Sequence, residues 1–349
     1  MKNYNLKSKV FYLFVFLTFT FSLLTFNLSE ANAQQVNLSI SPPLTEMLIK
    51  PGRAVLVAYT VQNGGDPTTV TARVLPFTAR DNRGNVQLKR EFDGPVRFDL
   101  DNASIRLEQP FFLEARKSEQ LLLRIRVPEG APEGDYYYTL LIETQPTPSS
   151  EGISVSRATA TIGANLLVTV TDTGAIDVKA KVSKFVLIPR LKIPFLPESL
   201  HIYDSSDKIP ILLEVANQGR NLIKPQGEVL LSGSFGEKST YKVLSENILA
   251  QSSRVVTATP SAEVDCSKKS ESGLCTDPPT VVLTGFFVGF YRVSSSITFG
   301  EGTPALFAAD SFIAIPFKFA LAAIASIIVA AFIIHRVKSI EKKGKDGVL

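Results

Sequence analysis

The chain is poor in the side chains that carry most catalytic and metal chemistry. It has two histidines, two cysteines and no tryptophan. His335 falls at the edge of an apolar run, which leaves His201 alone in the body of the chain. No His/Cys cluster therefore has metal-ligand spacing. His201 stands between Leu200 and Ile202 with no nucleophile motif to serve, and reads as a strand histidine. No glycine-rich phosphate loop joins a strand to a helix, and the carboxylates show no paired spacing. We expect no enzyme, no cofactor and no resident metal. The body also lacks a sustained 3.6-residue apolar period, which argues against a helical fold. Formal net charge is +4, but the basic excess sits at the two ends. The body is close to neutral and has no electrostatic footprint for nucleic acid.

Both ends carry membrane signals. Lys2, Lys7 and Lys9 precede an apolar run from Val10 to about Leu28, then Ala31-Asn32-Ala33. That is the layout of a secretory signal peptide over residues 1–33, cleaved between Ala33 and Gln34. Near the other end an apolar stretch from Phe312 to Ile334 is long enough to cross a bilayer, which takes roughly 20 helical residues. Arg336, Lys338, Lys342, Lys343 and Lys345 follow it and mark residues 335–349 as a cytoplasmic tail. The expected localisation is a single-pass plasma-membrane protein with its body outside.

The body reads as strands. Val55–Val61, Leu121–Val127, Tyr136–Glu143 and Asn165–Val170 alternate and are rich in β-branched or aromatic residues. Pro51-Gly52, Asn63-Gly64-Gly65, Asp81-Asn82-Arg83-Gly84-Asn85, Pro128-Glu129-Gly130 and Pro132-Glu133-Gly134 supply the turns. Two landmarks recur at almost equal offset. An alternating strand ends in Asn63-Gly64-Gly65 and again in Asn217-Gln218-Gly219. A Gly-x-Tyr opens a long strand at Gly134-Asp135-Tyr136 and again at Gly289-Phe290-Tyr291. The asparagines suit positive φ at a chain reversal. The tyrosines suit a tyrosine-corner role in the core. The expected fold is all-β: two tandem immunoglobulin-like β-sandwich domains, 34–172 and 173–305, plus one C-terminal transmembrane helix, 312–334. The Pro/Ser-rich run from Gln145 to Gly152 reads as a long hairpin loop, with the domain boundary at Thr171–Gly174.

Three local features remain. Cys266 and Cys275 flank an exposed-looking loop in an exported segment and suit a local disulfide, with free thiols the alternative. Asp81–Asn85 and Asp99–Asn102 suit turns, with a weak calcium site the alternative. The apolar, three-proline segment Phe185–Pro197 cannot be a helix or a central strand. It reads as an interdomain wedge, or as a partner surface formed by Phe185, Leu187, Ile193, Phe195 and Leu196.

The order of signal peptide, two sandwiches, helix and basic tail resembles the WxL-interacting proteins of bacterial cell surfaces. The motifs that carry the resemblance lie in the first domain: Leu38-Ser39-Ile40-Ser41-Pro42-Pro43, Lys50-Pro51-Gly52-Arg53, Val61-Gln62-Asn63, Thr78–Gly84 and Arg126-Val127-Pro128. The resemblance implies peptidoglycan binding by the first domain and binding of a surface protein or host ligand by the second. The expected function is that of a membrane-anchored surface binding and adhesion protein, holding cell-wall polymer or another surface protein noncovalently. The second reading is an anchored, pilus-chaperone-like assembly factor that acts by strand complementation at an open sheet edge.

Overall fold

The computed structural model describes residues 11, 12, 14–16, 18, 19, 35–145, 159–188, 201–261, 279–300 and 302–345. The first sandwich begins where the sequence alternates. One sheet has the order β1 (Leu38–Ser41), β3 (Ala54–Asn63), β8 (Ser118–Arg126), β6 (Arg97–Leu100). The facing sheet has the order β2 (Leu44–Ile49), β10 (Thr161–Val170), β9 (Gly134–Thr144), β4 (Thr68–Ala79), β5 (Val86–Leu88), with β7 (Pro110–Leu113) also paired to β4. Alternation turns every second side chain inward. Tyr59, Val61, Leu121, Leu123 and Ile125 meet Leu140, Ile142, Leu166 and Val168 in one buried core.

The second sandwich repeats the plan. One sheet orders β11 (Ala180–Leu187), β13 (Ile209–Asn217) and β16 (Ser253–Val255), with β18 (Val281–Leu283) also on β13. The other orders β12 (His201–Asp204), β20 (Leu306–Ile315), β19 (Gly289–Thr298), β14 (Gln226–Gly233), β15 (Lys238–Val243) and β17 (Ala258–Thr259). Its separate core includes Ile211, Leu213, Val229, Val293 and Phe312. In both units the opening segment changes sheets. β1 runs antiparallel to β3 and β2 parallel to β10. β11 runs antiparallel to β13 and β12 parallel to β20. Between β1 and β2 stand Pro42 and Pro43, which have no N–H to continue the ladder.

The recurring asparagines are buried nodes. The Asn63 side-chain amide donates to the carbonyls of Asp66 (2.8 Å), Leu113 (3.3 Å) and Glu114 (3.2 Å), and its oxygen accepts the Gly65 N–H (3.0 Å). Asn217 donates to the carbonyls of Asn221 (2.8 Å), Ile248 (3.1 Å) and Leu249 (3.1 Å) and accepts the Gly219 N–H (2.9 Å). Neither asparagine has positive φ, so the expected reason for this residue is corrected. What the position needs is a side chain that donates and accepts at once. The glycines serve close approach: a Cβ on Gly65 would lie 2.1 Å from the Gln35 carbonyl oxygen, and one on Gly219 would lie 2.6 Å from that of Asp177.

The helix expected to start at Phe312 starts instead at Phe317 and runs Phe317–Lys345. Phe312 to Ile315 end β20, and Phe312 is fully buried, stacked on Tyr291 at 5.0 Å. The second sandwich therefore extends past residue 305. An apolar run does not by itself separate a buried strand from the helix that follows it. Pro316 makes the break, since it ends the ladder and is tolerated at a helix start. Phe317–Val337 has mean hydropathy 2.5 and is one helix, among the described residues, long and apolar enough to cross a membrane.

Candidate functional site

Among the described residues the two sandwiches meet at three polar contacts, each spent on fixing their mutual position. At the start of β9, Asp135 donates its N–H to the Arg220 carbonyl (3.1 Å). Its carboxylate accepts the Asn221 side-chain amide (2.9 Å), the Leu222 N–H and the Tyr137 hydroxyl (3.1 Å). The Tyr137 oxygen in turn accepts the Ala250 N–H (2.8 Å). Burial, then the Asp135 charge, push the Tyr137 phenol well above its ordinary pKa, so it stays a neutral donor. On β2, Glu46 accepts from Lys224 and Asn247, both at 2.6 Å. Burial raises its pKa, but these donors outweigh that and hold it below the ordinary carboxylate value.

The third contact is the β4–β5 hairpin tip. The Asp81 carboxylate accepts the N–H groups of Arg83 (2.9 Å) and Asn85 (3.2 Å) and the Asn85 amide (2.7 Å). The turn uses that carboxylate on its own backbone. Beside it, the Asn82 carbonyl accepts the Val255 N–H (2.7 Å), and its amide donates to Glu214 (3.1 Å). Gly84, at φ 85°, lies flat against the Arg254 guanidinium, where a Cβ would come within 2.5 Å. Arg254 also donates to the Asn247 carbonyl (2.9 Å).

These contacts frame a cleft of about 160 Å³. Its floor is apolar: Leu44 of β2, Phe77 of β4 and Leu167 of β10. Asn247 and Arg254 of the second sandwich close it. Phe77 and Leu167 are buried, whereas Leu44 is 44% exposed. Phe77 also stacks on Tyr137 at 5.7 Å. The cleft opens beside an incomplete strand pairing. β9 covers all of β10, but β2 covers only Asn165 to Val170. Asn165 donates its N–H to the Pro43 carbonyl on the β2 side (2.9 Å). Backbone alternation then turns the N–H and C=O of Gly163 and Thr161 to that same side, where no described residue pairs with them.

Residues singled out in the sequence fall elsewhere. Phe185 is half-buried against the second core, and Leu187 is fully inside it, so Leu187 is not part of an exposed surface. Its β11 side chain alternates inward in a true edge strand of the second sandwich, ahead of the first proline. Ile193, Phe195 and Leu196 lie outside the described residues, as do Cys266, Cys275, Ala33 and Gln34. His201 sits 3.3 Å from Asp310 at a half-buried strand edge. In the Asp99–Asn102 segment, Asp101 pairs with Arg124 (2.7 Å), while the Asn102 side chain bonds the Gln120 carbonyl and the Leu122 N–H along the β8 edge. Among the described residues no group of three His, Cys, Asp or Glu is placed to hold a metal. Sequence reasoning missed Glu46, Asn82, Asp135 and Arg254. The available signals were the Asp81–Asn85 turn around Asn82 and the middle residue of Gly-x-Tyr, where a half-buried strand start carries a carboxylate.

No family model and no curated protein matches the chain. Solved structures do. A class 5 fimbriae chaperone, CfaA, is 12% identical, with 78% of this chain and 99% of that one covered at a TM-score of 0.35. The E. coli chaperone DraB is 14% identical, with 80% and 98% covered at 0.36. A Salmonella enterica complex of SafA pilin with the SafB chaperone gives 11% identity, 79% and 97% covered, and 0.33.

Proposed function

We propose that this chain is a membrane-anchored surface binding protein, its body outward, which holds an extended segment of another surface protein at the junction of its sandwiches. The observation that carries this reading is the coincidence of two features at one place. Leu44, Phe77 and Leu167 form an apolar floor, and the edge of β10 at Thr161 and Gly163, which no described residue pairs, opens beside it. An extended peptide satisfies both at once: its backbone continues the ladder and alternate side chains enter the cleft. The fixed polar frame around the cleft keeps floor and edge in register, so little ordering cost falls on binding. The C-terminal helix and basic tail supply the anchor. The same edge also serves the assembly-factor reading, which differs only in that the partner is later released.

The test uses the full chain in its own membrane. Thr161→Pro removes one outward N–H at the first residue of a strand, where proline is tolerated. Leu44→Lys puts a charge on the cleft floor. Both sites are exposed, so stability should change by less than about 0.5 kcal/mol. The expected result is a surface protein cross-linked to the parent chain and lost from both variants. Retention of that partner by both variants would refute the site. Sedimentation with purified wall polymer that survives both substitutions would instead favour polymer binding.

A further inference from the structure

We infer that the helix-proximal end of the second sandwich is a membrane-docking face, whose phenylalanines enter the lipid interface and hold the body at a fixed attitude on the bilayer. This rests on the reading that the C-terminal helix crosses the membrane. Three loops converge where that helix leaves the sandwich: the β14–β15 hairpin tip, the segment before β19, and the turn after β12. On them Phe235 is 76% exposed and Phe286 68%, with Val288 also exposed; beside them Phe290, at the start of β19, is 48% exposed, and Ile315, at the end of β20, is exposed too. The loops are tied together. Ser234 donates its N–H to the Phe290 carbonyl (3.0 Å), and Phe287 donates to the Ser205 carbonyl (2.9 Å). Ser205 donates to the Ile315 carbonyl (3.2 Å), and Gly289 lies against the Phe235 ring, 3.2 Å from where a Cβ would stand.

The helix is not hung on a free linker. Only Pro316 separates β20 from it. The first turn contains no acidic residue, yet its end is capped from outside: the Asp204 carboxylate accepts the Lys318 N–H at 2.9 Å. That carboxylate also receives the N–H and hydroxyl of Ser206, and the Lys318 ammonium pairs with Asp207 and lies 3.5 Å from Asp204. Orphan N–H groups of a helix start and its partial positive charge are thereby met by a buried acid of the sandwich. A first turn clamped in this way sets the level of the loops beside it. Residues next to Phe317, the first of the apolar span, stand at the depth where the span enters lipid. An exposed apolar cluster is costly in water and is stabilised at an interface where its rings enter the acyl boundary. Asp204 and Asp207 are buried behind the cluster rather than displayed on it, so neither carboxylate opposes insertion of the rings.

The absence of tryptophan gives a direct test. Single substitutions Phe235→Trp, Phe286→Trp, Phe319→Trp and Phe307→Trp are made in the full chain, reconstituted in phosphatidylcholine vesicles with and without brominated acyl chains. Phe319 lies within the span. Phe307 is exposed at the opposite end of β20, roughly 26 Å from Ile315 at about 3.3 Å per residue. The expected result is a blue shift and loss of most emission in brominated lipid for positions 235, 286 and 319, and no quenching at 307. Quenching at 319 without quenching at 235 and 286 would overturn the docking face while leaving the anchor intact. No quenching at 319 would overturn the anchor, and the docking face with it.

Discussion

The middle residue of Gly-x-Tyr is Asp135 in the first sandwich and Phe290 in the second, and the two ends they mark face different surroundings. Asp135 spends its carboxylate on the second sandwich. Phe290 is exposed beside the helix. The tyrosines that follow diverge in the same sense. Tyr136 is half-buried and donates to the Pro132 carbonyl at 3.0 Å, as a tyrosine corner does. Tyr291 is buried, stacks on Phe312, meets Phe287 edge-on at 5.3 Å and donates to Glu237 at 3.2 Å. One plan therefore serves two docking tasks. A carboxylate suits a protein surface rich in backbone N–H groups, and an apolar ring suits the helix-proximal end.

The sharpest way to break this comparison is to truncate both tyrosines. Tyr291→Ala removes a ring from the four-ring cluster of Tyr203, Phe287, Tyr291 and Phe312 and should cost about 4 kcal/mol, as buried aromatic truncations do. Tyr136→Ala should cost about half as much, because part of its ring already meets solvent. Thermal unfolding of the two variants measures the gap. Equal losses would mean that the two ends are energetically alike despite their different packing.

The asparagine nodes should behave oppositely. Asn63→Ala and Asn217→Ala each strip three carbonyls of a donor and one glycine N–H of its acceptor, so each should cost about 3 kcal/mol. Hydrogen exchange should show each variant opening its own sandwich first. If Asn63→Ala opens both sandwiches together, the junction transmits unfolding and the two cores are not independent units.

The sandwich architecture was readable because it rests on local rules: alternation, β-branched runs and turn residues. The spacing of Asn63 and Asn217 pointed to a real equivalence, but to the wrong cause, since a buried amide and a φ-tolerant turn residue leave the same mark on a sequence. Phe312 reads as helix in the sequence because hydropathy does not distinguish the inside of a strand from a bilayer. The junction was the least legible part. Glu46 meets Lys224 and Asn247 across more than half the chain, and no local pattern announces such partners. No local pattern singles out Leu44, which the change of sheet at Pro42 and Pro43 places on the cleft floor.

At the junction, Asp135→Ala should cost about 2 kcal/mol by leaving the Leu222 N–H without its acceptor. It should loosen the angle between the sandwiches more than it lowers either melting transition. The smallest effect expected is that of acid on Glu46. Its folded pKa lies below the ordinary value near 4.3, so its contribution is fully present above about pH 4 and is lost as pH falls through the lower folded value. With about a third of the side chain exposed, solvent screens the Lys224 pair and keeps the contribution under about 1 kcal/mol. A distance measured between spin labels on the two sandwiches should hold constant from neutral pH to about pH 4 and broaden below it. Glu46→Gln should flatten that response. A distance unchanged down to about pH 2 would mean that the other junction contacts set the angle and that Glu46 merely decorates it.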